Sequence, residues 1–298
     1  MQINSLCYQA FNNRFSCIIF AVLLVLLLSP SGLLASGLAV QPATFLFRDV
    51  SVGKKVKLSV PLSIHNKDDQ SNTYTVKTIL PSQIGMSWPD GYIEIPETGW
   101  FKFEDNKKIT VAGGEIGFTN MYIEIPGKDA YYNQKWVIAI EVKTDVEISE
   151  TIVLAVYPRF LIETESNKSI TERPAGSMGI SPSKLNISFQ SVNGKGVFEI
   201  YNNDTIPHTY TIRPGTPKGE IQRQILHSPT PSYDWLPDTG WILLDIDNVE
   251  IEAGSSRLIE VFLKVPHEMS MVPQKWETLL FITPDKGPSS FVRVLIEP

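Results

Sequence analysis

A six-residue phrase, four of its positions identical, occurs twice in this chain, and the repetition constrains the fold more than any other feature. Ile95-Pro96-Glu97-Thr98-Gly99-Trp100 returns as Leu236-Pro237-Asp238-Thr239-Gly240-Trp241. About 35 residues after each copy stands Gln-Lys-Trp, as Gln134-Lys135-Trp136 and Gln274-Lys275-Trp276. Further matches flank these anchors in the same order. Val40-Gln41-Pro42 answers Ile180-Ser181-Pro182, Asn66-Lys67-Asp68-Asp69 answers Asn202-Asn203-Asp204-Thr205, and Thr73-Tyr74-Thr75-Val76 answers Thr209-Tyr210-Thr211-Ile212. So long a period is a duplicated domain and not a short solenoid repeat.

The repeated unit reads as β structure. Val56, Leu58, Val60, Leu62 and Ile64 alternate with Lys57, Ser59, Pro61 and Ser63, which predicts one half-buried strand over nine residues. Pro61 lacks an N–H donor, so it belongs at a sheet edge or faces outward. The counterpart, Gly196 to Asn202, is a weaker version. After Gln-Lys-Trp, the residues Trp136, Ile138, Ile140 and Val142 share a face. A last strand is expected at Ile152–Val156, followed by Pro158 and matched to Val292–Ile296 with Pro298. Asn- and Asp-led turns separate these runs, because their side chains bond nearby backbone.

About seven short strands per unit, with no amphipathic helix of useful length, predict an all-β protein of two tandem immunoglobulin-like antiparallel β-sandwiches. The expected divisions are a signal peptide at 1–39, one sandwich at 40–158, a linker at 159–178 and a second sandwich at 179–298. Phe160-Leu161-Ile162 extends a strand; the polar stretch Ser166–Gly179, with Pro174 and Gly176, carries the linker reading. Trp100, Trp136, Trp241 and Trp276 recur in register, so they are expected to fill the two cores, and truncating one costs about 3–5 kcal/mol. Stacking of these rings on a sugar is the alternative.

Ile18 to Leu28 is an unbroken apolar run of 11 residues, too short to cross a bilayer, which needs about 20. Arg14 before it and the small residues Ala35, Ser36, Gly37 and Ala39 after it mark a signal peptide cleaved near 35–39. An uncleaved N-terminal anchor is the competing reading. Loss of 1–39 takes the net charge from −6 to −7. Such a chain lacks the basic stripe that nucleic acid requires. Both cysteines, Cys7 and Cys17, fall in the leader, so no disulfide framework and no cysteine metal site is expected.

The phrase Phe45-Leu46-Phe47-Arg48-Asp49-Val50-Ser51-Val52-Gly53, a strand, an Asn-led turn, and later Ala-Gly-Gly before a strand ending Ile-Pro together resemble PapD-like and sperm-protein-like sandwiches. Bacterial exported tandem Ig-like proteins share that rhythm. A sharper resemblance is to periplasmic pilus-assembly chaperones, which cap a subunit by donating an edge strand. That resemblance implies that Arg48 binds a subunit's terminal carboxylate. The Leu-Pro-x-Asp-Arg-Glu stretch of those chaperones is absent, and the two units here are closer copies than theirs.

No residues commit the chain to catalysis, and neither a metal nor a cofactor is expected. Ala175-Gly176-Ser177-Met178-Gly179 resembles a nucleophile elbow but lies between Pro174 and Pro182, where strand-turn-helix geometry is excluded. His65, His208, His227 and His267 are scattered and read as surface or turn residues. Asp245, Asp247, Glu250 and Glu252 read as a solvated face, without calcium-loop order. Three glycosylation sequons, at Asn167, Asn186 and Asn203, matter only in a eukaryotic source. The expected function is non-enzymatic binding or scaffolding of proteins at the cell envelope, periplasmic or at the surface. Assembly chaperone and carbohydrate-binding module are the alternatives. Contacts are expected at sheet edges and in the loops Pro81–Asp90 and Thr216–Tyr233, with Arg48, Tyr233 and Trp235 as the candidate binding residues.

Overall fold

The computed structural model describes residues 37–104, 108–145, 154–189, 194–216, 229–266 and 274–298. Residues 1–36 of the predicted leader and the histidines at 227 and 267 therefore lie outside the described residues, as does most of the loop from 216 to 233; residues 38 and 39, the end of the expected leader, already belong to a strand.

The first sandwich comprises β1 (Leu38–Gln41), β2 (Thr44–Val50), β3 (Lys55–Lys57), β4 (Leu62–Asn66), β5 (Asn72–Ile79), β6 (Ile93–Glu94), β7 (Phe101–Phe103), β8 (Lys108–Val111), β9 (Ile116–Thr119), β10 (Met121–Glu124), β11 (Lys135–Thr144), β12 (Ala155–Val156) and β13 (Arg159–Thr164). The second comprises β14 (Met178–Ser181), β15 (Lys184–Ser188), β16 (Lys195–Asn202), β17 (His208–Gly215), β18 (Asp234–Trp235), β19 (Ile242–Leu244), β20 (Asn248–Ile251), β21 (Ser256–Leu263), β22 (Trp276–Pro284) and β23 (Ser290–Glu297). One sheet of the first sandwich runs β2-β13-β11-β5-β8; the facing layer is β1-β4-β9, continued below by β3-β10-β7. The second sandwich repeats this as β15-β23-β22-β17-β20 against β14-β16-β21-β19. The chain is thus two tandem Ig-like sandwiches. Pairing in the main sheets is antiparallel except at one edge of each, where β2 runs parallel to β13 and β15 parallel to β23, and where the two-residue β6 and β18 run parallel to β11 and β22.

Alternation explains the layers. Inward residues of both sheets make one apolar core per sandwich, with Trp136 at the centre of the first and Trp276 of the second. The turn after β4 is built on Asn66, whose buried amide donates to the Gln70 carbonyl at 2.8 Å and the Val111 carbonyl at 3.0 Å. Asn202 does the same for Ile206 and Ile251, at 2.8 and 2.9 Å. The recurring Asn is therefore a buried keystone, satisfying carbonyls that a turn leaves without ladder partners.

Three expectations need correction. The nine-residue strand of the first unit is two strands, broken at Ser59-Val60-Pro61, with the exposed Pro61 unable to donate into the ladder. At the place of Pro61 the second unit has Val197, and β16 runs through unbroken. Second, the partner of Val292–Ile296 is β13 and not Ile152–Val156. Trp136 pairs with Ile162 as Trp276 pairs with Ile296, so the related segments are Arg159-Phe-Leu-Ile-Glu163 and Arg293-Val-Leu-Ile-Glu297. The apparent match of Pro158 with Pro298 is a coincidence of spacing. Third, the stretch 159–178 is not a linker along its whole length, since its first six residues are β13, inside the first sheet.

The rest of that stretch is tied down. Asn133, in left-handed conformation at φ 62°, donates to the Asn167 carbonyl at 2.7 Å and accepts from the Asn167 and Ser183 backbone N–H groups, both at 3.0 Å. The Ala175 N–H donates to the Ala130 carbonyl at 2.9 Å. A Gly- and Pro-containing segment thus becomes a fixed strut, because buried polar side chains at its root have no solvent to bond instead.

Candidate functional site

The outer face of the last strand in each unit carries Arg, Leu and Glu at alternate positions, and the first unit's Glu meets the second unit's Arg. Arg293 Nε donates to Glu163 Oε2 at 2.6 Å and Nη2 to Glu163 Oε1 at 2.6 Å, a bidentate pair. Its Nη1 donates to Glu277. All three residues are buried. Burial opposes the guanidinium's charge, but the Glu163 and then the Glu277 carboxylate outweigh it, so Arg293 is held above its ordinary range. Tyr92 donates its hydroxyl to Glu163 at 2.6 Å, and burial followed by that carboxylate keeps the phenol protonated far above its usual range.

Apolar residues surround this network. Tyr92, Val137 and Leu161 of the first sandwich pack on Leu279 and Phe291 of the second. Gly91, at φ 90°, lies under the Phe291 ring; an added Cβ would sit 2.6 Å from it, so no side chain fits. Lys135 is buried with its ammonium 4.5 Å from the centre of the Phe291 ring and without a hydrogen-bond acceptor. Burial pulls its pKa down to about 8.

Beside this seam the first sandwich is open. The chain passes from one sheet to the other at Pro42, between β1 and β2. Below that crossing, β2 is the outermost strand of its sheet and β3 the outermost strand of the facing one. A cleft of about 740 Å³ lies between them, walled by Phe45, Phe47, Val56 and Leu58, with Arg48 in its lining and Pro229 and Pro231 of the second sandwich at its rim. Arg48 Nη1 donates to Thr230 Oγ1 at 3.2 Å, while the Thr230 N–H donates to Glu277 at 2.6 Å. Burial, then the nearby Arg293 charge, lower the Arg48 pKa from its ordinary value.

The candidate residues converge on this region. Tyr233 is half-buried, donates its hydroxyl to Glu297 and follows Thr230 in one turn. Trp235 is not a free contact residue, because it is half-buried against the apolar seam. Trp136 and Trp276 are fully buried, whereas Trp100 and Trp241 are half-buried and lie across them, with ring centres 5.5 and 5.8 Å apart. The four indoles therefore form two internal pairs and not one exposed row. His208 is not a surface residue either: it is buried on β17 between Asp204 and Asp285. Asp245, Asp247, Glu250 and Glu252 are exposed. Among the described residues no cluster of three or more His, Cys, Asp or Glu is placed to hold a metal, and no helix is long and apolar enough to cross a membrane. The seam residues Tyr92, Lys135, Glu163, Glu277 and Arg293 escape sequence reasoning. The repeated Arg-x-Leu-Ile-Glu was the available clue.

No protein-family model and no curated protein matches the chain. Solved structures are similar to the chain at low TM-score. One, a Porphyromonas gingivalis protein of unknown function, is 16% identical over 88% of this chain and 99% of its own, with a TM-score of 0.32. Another is the class 5 fimbriae chaperone CfaA, 12% identical over 88% of this chain and all of its own, with a TM-score of 0.31. A third is the periplasmic chaperone SfaE, 12% identical over 87% of this chain and 99% of its own, with a TM-score of 0.28. At these TM-scores the likeness carries no argument.

Proposed function

We propose that this chain is a non-enzymatic exported protein that binds another protein at the cell envelope by taking an extended segment of it into the cleft beside β2. The observation that carries this reading is the cleft itself. It joins a row of edge backbone groups to an apolar wall, Phe45, Phe47, Val56 and Leu58. An added strand would gain affinity from main-chain hydrogen bonds and selectivity from side chains set into the wall. The test is capture from an envelope fraction by the purified protein. Val56→Glu, which places a carboxylate in the wall, is expected to abolish capture without altering the unfolding temperature of the second sandwich. Capture at the wild-type level would overturn the proposal.

The position of Arg48 in the cleft lining favours a narrower second reading, an assembly chaperone for pilus subunits, with the guanidinium receiving a carboxylate. On that reading Arg48→Ala abolishes capture of a subunit while the fold stays intact. Unchanged capture removes it.

A further inference from the structure

The contact between the two sandwiches is heterologous: a Glu-bearing end of one unit receives an Arg-bearing face of the next. Because both units carry both ends, one of each is left without its counterpart. Arg159 stands where Arg293 stands, and Glu297 where Glu163 stands. The surroundings of Glu297 copy those of Glu163. Tyr233 donates to Glu297 as Tyr92 does to Glu163, and Lys275 faces Glu297 as Lys135 faces Glu163 across the β11–β13 pair. Ser232, before Tyr233, has φ 73°, and Gly91, before Tyr92, has φ 90°. The Arg ends correspond as well. Tyr157-Pro158-Arg159 matches Phe291-Val292-Arg293, with an aromatic ring two residues before the guanidinium.

The two remaining ends are chemically complementary. Arg159 is half-buried, and among the described residues no carboxylate pairs with it. Its Nη1 donates to the Ser87 carbonyl at 2.8 Å and its Nε has no acceptor. Glu297 is 41% exposed and is held by Lys275 at 2.9 Å. Within the seam, the same contest between Lys and Arg has gone to Arg. Arg293 takes Glu163 through two parallel bonds, and Lys135 lies on the Phe291 ring instead. A planar guanidinium matches a carboxylate fork that an ammonium meets only as a point charge.

We infer that a second copy of this chain docks head to tail, its Arg159 received by Glu297 and Tyr233 as Arg293 is received by Glu163 and Tyr92. Lys275 then moves onto the Tyr157 ring of the incoming copy. The new contact is more polar than the internal one, because Asn186 and Glu141 stand where the seam has Leu46 and Phe281. It is therefore reversible and weakened by salt.

Sedimentation equilibrium of the purified protein from micromolar to millimolar concentration tests this. The mean mass is expected to rise with concentration and to fall back on addition of salt. Glu297→Arg and Arg159→Glu are each expected to lower the association constant more than about tenfold, a loss of about 1.4 kcal/mol. An equimolar mixture of the two variants restores association, because the reversed receptor of one accepts the reversed donor of the other. Lys275→Ala, which removes the competing cation, tightens it. A monomer at every concentration overturns the inference. So does association that survives Glu297→Arg, or a variant mixture that stays monomeric while both proteins unfold at the wild-type temperature.

Discussion

The two sandwiches share strand order, keystone Asn and paired indoles, yet their edges differ. In the first, β2 and β3 stand apart around the cleft. In the second, the corresponding β15 lies close on β16. The register through Asn66 and Asn202 places Leu58 and Val60 of the first unit where the second has Gly194 and Gly196. A Cβ on Gly196 would sit 3.0 Å from Leu185 and 3.1 Å from Ile187, and one on Gly194 would sit 2.7 Å from the Ser188 carbonyl. The open edge thus goes with side-chain volume at two positions, beside the break at Pro61 that parts β3 from β4 where β16 runs unbroken. Protein interiors pack closely, so side chains hold the first edge open and their absence lets the second close.

The largest expected effect concerns what the two units share as one body. Arg293→Met leaves Glu163 and Glu277 buried without their cation, and is expected to cost about 3–5 kcal/mol in denaturant unfolding. It also separates one unfolding transition into two. A single transition with unchanged midpoint would show that the units are not coupled through this pair. Next in size, Gly196→Leu forces β15 off β16 and is expected to cost about 1–3 kcal/mol, confined to the second sandwich. In the crystal structure of that variant a cleft like that of the first unit should appear beside β15. A closed edge with Leu accommodated would break the comparison.

The smallest effect is a difference in pH response. His208 Nδ1 lies 2.8 Å from Asp285 and Nε2 3.2 Å from Asp204, with the edge of Tyr210 also against the ring. The bond to Asp285, against the cost of burial and with Asp204 adding, raises the imidazole pKa. Its contribution is complete below the unfolded value of 6.5 and is lost as pH rises through the folded value. The Thr205 N–H lowers the pKa of Asp204, and His208 lowers that of Asp285. Their contribution is present above 3.8 and lost as pH falls through the folded values. The cluster is therefore at full strength between about 3.8 and 6.5. The first unit has Asn72 at this place, bonded to Asp68 at 2.7 Å. His208→Asn is expected to remove the decline of the second unit's stability in mildly alkaline buffer, read by urea titration across pH. A decline that persists would assign it elsewhere.

Much of the fold was legible because it rests on period and repetition. Trp136 with Trp276 and Tyr74 with Tyr210 mark strands whose alternation survives in the structure. Pro61 marked a break in the ladder that alternation alone hid. The site was less legible, because it is made by long-range register. Glu163 reads as an ordinary charged residue near a linker until β13 places it against Arg293, 130 residues away. Arg48 was legible through its phrase, Phe45 to Gly53. Its neighbour Thr230 was not, since only the docking of the two units joins them. Trp235 misled because a Pro- and Ser-rich context suggests exposure, whereas β18 turns it into the seam.

The most direct measurement places a photo-crosslinking amino acid at Leu46 or at Asn186, which hold the same register on β2 and β15, and exposes each protein to the envelope fraction. Leu46 lines the open cleft; a cross-linked envelope protein is expected from that position, and from Asn186 nothing but a second copy of this chain. Equal labelling by an envelope protein at both positions, or at Asn186 alone, would contradict an account in which only the first sandwich keeps an edge open to receive another protein.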